Sequence, residues 1–270
     1  MLEFSPGTGY FGKGVSSGLA RGVIVLAGET NITGEGMGIG AVALECRGRF
    51  CFAKDCSTEV TTPYHFGKTF VVDSRMSWGR KGIPTVPLTR ILDMVSEIYM
   101  KMPLLQPLLA VSSPLRTAFG ITPSFEPIPP LAEARFVYRR VGDTLEVCCT
   151  ITPLGPGITR IFLLNELAAD SFTQGYYGGN ATPPPTGWRE HEPGHDLYDP
   201  VRGIRFGISP ADRGDPIPGK VFWGREYTKD LCWAGFGIEL ALPDDAQEPV
   251  SCSYRIPFTV EPGEGGEPER

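Results

Sequence analysis

Apolar and polar side chains alternate residue by residue along much of the chain, and this alternation constrains the fold more than any other feature. Every second residue is apolar in residues 144–151, and the same pattern recurs over residues 250–260. Successive side chains of a β-strand point to opposite faces, so the alternation predicts strands with one buried face. Gly142-Asp143, just before the first of these runs, is typical of a hairpin turn. The chain is therefore predicted to be mainly β and antiparallel.

The number of such segments indicates a large architecture. Counting them along the chain gives roughly ten to twelve strands, which is more than a small barrel holds comfortably. The 34 glycines and 26 prolines are scattered, as expected of a fold with many turns. Pro257 cannot donate a backbone hydrogen bond, which places the last strand at a sheet edge or at a bulge. Two packed sheets would bury the apolar faces of so many strands, so we expect a large antiparallel β-sandwich.

One segment departs from this pattern. Between residues 85 and 102 the apolar residues recur at helical spacing: Leu88, Ile91, Leu92, Val95, Ile98, Tyr99 and Met102. Thr85 is a suitable N-cap, and Pro103 should end the helix. The sequence therefore predicts one amphipathic helical insertion in the β fold.

This insertion divides the chain. We expect an N-terminal strand group in residues 1–80, the helical insertion in residues 81–120, and a second strand group in residues 121–260. The two strand groups are predicted to pack together as one domain. The tail, residues 261–270, lacks apolar side chains and is predicted to be disordered.

Charge and composition limit the partners. The formal net charge of −6 and the pI near 5.2 argue against nucleic-acid binding, because phosphate contacts need clustered Lys and Arg. The N-terminus has no basic region followed by a long apolar stretch, and no apolar run is long enough to span a bilayer. The 7 cysteines, one adjacent pair among them, are a poor disulfide framework. We expect a cytoplasmic protein without an integral membrane segment.

The string HEPGH, His191 to His195, matches the spacing of a zinc-peptidase motif. That motif works on a helix, where residues four apart share one face. Pro193 and Gly194 are the two least favourable helix residues, so a helical zinc site is rejected. A turn can still bring His191, His195 and Asp199 together, and mixed imidazole and carboxylate ligation suits one divalent metal ion. The alternative is that they are solvated loop residues.

The long connection around these histidines, within residues 166–199, is where we expect a ligand site. Three aromatic side chains are candidates for ligand binding: Tyr176, Tyr177 and Trp188. Four carboxyl groups are candidates for acid–base chemistry: Glu166, Asp170, Glu192 and Asp196. Aromatic rings beside acids suit sugars, and loops on a β scaffold often form sites. An equally simple alternative is that the aromatic residues only cover the end of the sheet.

These features predict a protein that binds or modifies a small polar ligand, with carbohydrate as the leading class, at residues 166–199. The competing prediction is a non-catalytic carrier of a hydrophobic ligand, a lipid or isoprenoid, with residues 86–119 as its lid. Methionines in that segment would supply an adaptable lining. A purely structural or interaction role is a third alternative. The sequence does not decide whether the protein is an enzyme.

Overall fold

The computed structural model shows a mainly β protein. It describes residues 2–6, 19–34, 36–80, 121–211, 216–227, 232–242 and 248–261. Within these ranges there are 18 strands and no helix, so none that is long and apolar enough to cross a membrane. The predicted class, mainly β and antiparallel, is confirmed. The predicted strand number was too low, because nine of the strands have four residues or fewer and are too short to show an alternating pattern.

The strands follow one another in chain order. The first six are β1 (Leu2–Ser5), β2 (Ile24–Ala27), β3 (Thr30–Asn31), β4 (Gly38–Cys46), β5 (Arg49–Thr62) and β6 (His65–Arg80). The next six are β7 (Ile121–Val141), β8 (Thr144–Pro153), β9 (Ile158–Ala168), β10 (Gln174–Tyr177), β11 (Asn180–Thr182) and β12 (Gly187–Glu190). The last six are β13 (Asp196–Asp199), β14 (Ile204–Phe206), β15 (Ser209–Pro210), β16 (Lys220–Tyr227), β17 (Cys232–Leu240) and β18 (Val250–Val260).

Fifteen of these strands form one continuous hydrogen-bonded sheet. Their order is β11-β10-β13-β14-β18-β8-β7-β6-β5-β4-β9-β17-β16-β12, and β15 also pairs with β18. Neighbouring strands in this order are antiparallel. The remaining three, β1, β2 and β3, form a separate small sheet. The two packed sheets of a sandwich are therefore not confirmed.

Strands that are distant in the sheet order face each other across a shared core. The ring of Phe206 on β14 lies 5.1 Å from that of Phe236 on β17, and both side chains are fully buried. The hydroxyl of Tyr254 on β18 donates to the side-chain oxygen of Asn165 on β9 at 2.9 Å. The sheet thus folds over on itself, and this brings its two halves into contact through their apolar faces.

The strand that contains Pro257 is interior, so the predicted edge or bulge is wrong. β18 pairs with β8 on one side and with β14 and β15 on the other. Pro257 lies between the part of β18 that pairs with β14 and the part that pairs with β15. Its carbonyl oxygen accepts a hydrogen bond from the backbone N–H of Gly207. The backbone N and C=O of one strand residue point the same way, so the nitrogen of Pro257 faces this interruption between β14 and β15 rather than β8.

The predicted helical insertion and the lid, residues 86–119, lie outside the described residues. They belong to residues 81–120, which connect the paired ends of β6 and β7 at Arg80 and Ile121. Three strands of the first predicted group, β6, β5 and β4, lie between strands of the second group, since β6 pairs with β7 and β4 pairs with β9. Of the predicted tail, only Glu261 is described, and its backbone N–H donates to the carbonyl of Gly203.

Candidate functional site

The HEPGH string forms a tight turn between β12 and β13. Gly194 has a positive φ of 91°, a conformation that glycine adopts without strain. The Nε2–H of His191 donates to the carbonyl oxygen of His195 at 2.8 Å, and the Nδ1–H of His195 donates to that of Glu192 at 3.0 Å. The rejection of a helical motif agrees with this geometry, since Pro193 and Gly194 form the turn.

The two imidazoles have different surroundings. The ring of His191 packs edge-on against Phe236 at 5.3 Å and against Trp223 at 6.0 Å, so it belongs to the end of the core. Burial lowers the pKa of His191, although its hydrogen bond to the carbonyl of His195 acts in the opposite direction. The ring of His195 stacks on Tyr177 with 4.2 Å between centroids and also lies 5.1 Å from the ring of Trp223. Each histidine is therefore held by its neighbours in a defined orientation.

The predicted metal ligands do not converge. Asp199 is fully buried, and its carboxylate accepts hydrogen bonds from the backbone N–H groups of Val201 and Arg202 and from the guanidinium of Arg202. This arrangement caps the turn after β13 and leaves Asp199 apart from the imidazoles. Within the described part of the chain, no group of three His, Cys, Asp or Glu side chains is placed to hold a metal ion.

Part of the predicted ligand site does come together on β10 and β13. Tyr176 is directly opposite Asp196 in the strand pairing, and the guanidinium of Arg205 lies 4.5 Å above the ring of Tyr176. Tyr177 and His195 are the next residues along the two chains, so they lie on the opposite face of the β10–β13 pair, and 51% of Tyr177 is exposed. We call these five residues, which surround the adjoining ends of β10 and β13 on both faces, the tyrosine surface. Its composition is two phenol rings, an imidazole, a carboxyl group and a guanidinium.

The charges of the tyrosine surface are partly compensated. Burial raises the pKa of Asp196, while the nearby Arg205 and His195 act in the opposite direction. Arg205 also forms an ion pair with Glu261 at 3.1 Å. Tyr198 packs on Tyr176 with 5.4 Å between ring centroids. The sequence prediction missed both Arg205 and Tyr198, although Tyr198 is two residues from Asp196 and so lies on the same face of a strand.

The other predicted site residues lie elsewhere. Asp170 and Glu192 are exposed. Glu166 lies on β9 opposite Gly38 and Gly235, away from the histidine turn. Burial raises the pKa of Glu166 to about 7, although the charge of Arg21 acts in the opposite direction.

Trp188 belongs to a different surface from the histidines. Its ring stacks on Trp233 of β17 with 4.1 Å between centroids, and it also lies above Gly237. The sequence prediction missed Trp233, because nothing in the local sequence relates it to Trp188, which is 45 positions earlier in the chain. Sequence proximity grouped Trp188 with the tyrosines, whereas the strand pairing separates them.

Neither protein-family models nor curated proteins inform this geometry. No protein-family model matches the chain. No curated protein matches it either. The function is therefore argued from the site alone.

Proposed function

We propose that this protein binds a small polar ligand, with carbohydrate as the leading class, at the tyrosine surface. The observation that carries the proposal is the half-exposed ring of Tyr177, stacked at 4.2 Å on the imidazole of His195. An aromatic ring held in place by a neighbour offers its face to an apolar sugar face at little entropic cost, because its orientation is already fixed.

Tyr176, Asp196 and Arg205 lie one strand position away from Tyr177 and His195, on the opposite face of the β10–β13 pair. We propose that the ligand extends around the end of this strand pair, where these polar groups supply directional contacts. The carboxyl group of Asp196 accepts hydrogen bonds from hydroxyl groups, and the guanidinium of Arg205 donates to them. Arg205 is held by its contact with Tyr176 and its ion pair with Glu261, so it is preorganised for binding. If a bound ligand reacts, Asp196 is the proton-transfer group that this surface offers, because its pKa is already raised by burial.

Titration of saccharides against variants tests this proposal. A panel of mono- and oligosaccharides is screened on an array, and each sugar that binds is titrated by calorimetry. We expect Tyr177→Ala and Asp196→Asn each to weaken binding at least about tenfold, which corresponds to about 1.4 kcal/mol. Tyr64→Ala is the matched control, since Tyr64 is 59% exposed on the β5–β6 turn. Unchanged affinity of Tyr177→Ala, or no saccharide bound at all, would contradict the proposal.

A further inference from the structure

A row of phenylalanine rings lies on the outer face of the large sheet. The ring of Phe125 on β7 lies 5.9 Å from that of Phe52 on β5. Phe52 is 6.4 Å from Phe50 on the same strand, and Phe50 is 5.8 Å from Phe162 on β9. We call these four residues the aromatic face. Three of them, all except Phe162, are only partly buried.

Strand register places the aromatic face on the side opposite the core. Phe52 pairs with Ala43 on β4, and Ala43 pairs with Phe162 on β9, so these three share one side of the sheet. Their chain neighbours Leu44 and Leu163 are fully buried on the other side, within the core. The apolar rings are therefore a second hydrophobic layer that the described core does not use.

The aromatic face continues toward the edge of the sheet. Leu164 on β9 pairs with Gly237 on β17, which in turn pairs with Phe222 on β16, and both flanking side chains are partly buried. Gly237 lies beneath Trp188. A contiguous apolar surface of this extent marks an interaction site, because exposing it to water is unfavourable.

The chain itself supplies an apolar segment beside this face. Residues 81–120 connect Arg80 to Ile121, which are paired in the sheet, and Ile121 is only four residues before Phe125. The predicted helix of residues 85–102 would be about 27 Å long at about 1.5 Å per residue. From β7 to β9 is four strand spacings, or about 19 Å. One such helix is therefore long enough to cross every strand of the aromatic face.

We propose that the apolar stripe of residues 85–102 docks on the aromatic face of its own chain. The segment has the apolar pattern and the length to cover the face, and it belongs to residues 81–120, which begin and end at paired strand ends beside the face. Docking would remove from water the exposed part of the partly buried rings and the apolar side of the predicted helix, which is the usual driving force for packing a helix on a sheet. This inference is independent of the tyrosine surface, which lies on β10 and β13 at the other end of the sheet order.

Photo-crosslinking of the full chain tests the contact directly. A benzoyl-phenylalanine replaces Phe50, and the same group at exposed Tyr64 is the control. After illumination, we expect the probe at position 50 to link to peptides from residues 85–102 within a monomer-sized product, and the Tyr64 probe not to. A dimer-sized product would show a second copy as the occupant and overturn the proposal. Absence of any link to residues 81–120 would overturn it as well.

A pair of charge substitutions tests the apolar stripe. Val95→Asp places a charge at the centre of the stripe, whereas Thr89→Asp places the same charge about 120° around the predicted helix, on its polar side. We expect Val95→Asp to abolish the Phe50 crosslink and to increase binding of an apolar fluorescent dye several-fold, with Thr89→Asp behaving as wild type. Equal responses of the two variants contradict the proposal. If Val95→Asp does not fold, judged by circular dichroism, the crosslink in the unsubstituted chain still decides.

Discussion

Glu166 is a partly buried carboxyl group on β9, close to the buried guanidinium of Arg21. Burial raises its pKa to about 7, against the opposing charge of Arg21, and burial lowers the pKa of Arg21 to about 10. Arg21 is only 8% exposed. The folded protein therefore holds the proton of Glu166 at pH values where the unfolded chain, with an ordinary carboxyl pKa of about 4.5, has released it.

Glu166→Gln should change how stability depends on pH. A carboxyl whose folded pKa is raised stabilises the fold fully at low pH, and this contribution is lost as the pH rises from about 4.5 to about 7. Glutamine mimics the protonated form, so we expect the variant to resemble wild type at pH 5 and to exceed its stability at pH 8. Urea unfolding at both pH values measures this. Glu59→Gln removes the same charge at an exposed position, and an equal gain there would contradict the interpretation.

The short edge strand β12 depends on the absence of a side chain in its neighbour. Trp188 of β12 pairs with Gly224 of β16, and a Cβ atom on Gly224 would overlap the carbonyl oxygen of Gly187. The ring of Trp188, which belongs to β12, stacks on the ring of Trp233. Close backbone approach is a common reason for glycine within a strand. The glycine thus fixes both the pairing of β12 and the position of the tryptophan stack.

Gly224→Ala should therefore separate β12 from the sheet. We expect a loss of about 1–3 kcal/mol in the free energy of unfolding, the usual cost of overpacking, and a change in the near-ultraviolet circular dichroism of the tryptophan stack. Gly67→Ala on β6 is the matched control, because the nearest atom to its added Cβ, the carbonyl oxygen of Phe136, is 3.5 Å away. Gly67→Ala should change the free energy of unfolding by less than about 1 kcal/mol. Similar losses in both variants would refute the argument.

At the scale of the whole molecule, one buried amide joins strands that are far apart in the chain. The side-chain oxygen of Asn165 accepts hydrogen bonds from the backbone N–H of Gly40 at 3.1 Å and from the hydroxyl of Tyr254 at 2.9 Å. Its amide group donates to the carbonyl of Phe236 at 3.3 Å. The hydroxyl of Tyr138 donates to the carbonyl of Gly40 at 2.7 Å. This network ties β9 to β4, β17 and β18 across the core.

Asn165→Leu should destabilise the whole fold. Leucine fills a similar volume but leaves two buried donors without an acceptor, at a cost of about 2–5 kcal/mol by chemical denaturation. Adding Tyr254→Phe removes one of those donors. The double variant should therefore lose less free energy of unfolding than the two single variants lose in total. Asn180→Leu, on exposed β11, should change stability by less than about 0.5 kcal/mol. Additive losses would show that the network is not coupled.

Local pattern was sufficient for the longer strands and insufficient for the short strands and the site. The alternation over residues 250–260 predicted β18, and its buried residues are those that the pattern assigns to one face. Tyr177 and His195, which the sequence placed in one segment, do contact each other, because β10 and β13 pair although β11 and β12 lie between them in the chain. Trp188 and Glu166 were grouped with them by sequence proximity alone, and the register of β12 and β9 places them on other parts of the sheet.

The sequence by itself determined that this chain is an antiparallel β protein, because the alternation of side chains along a strand is a local property. It also determined that HEPGH is a turn, because Pro193 and Gly194 oppose a helix whatever surrounds them. Only the tertiary structure decided that Asp199 caps a turn, that Tyr176 faces Asp196 and that Phe50 contacts Phe162. Such contacts depend on strand order and register, which are set by packing between residues distant in the chain.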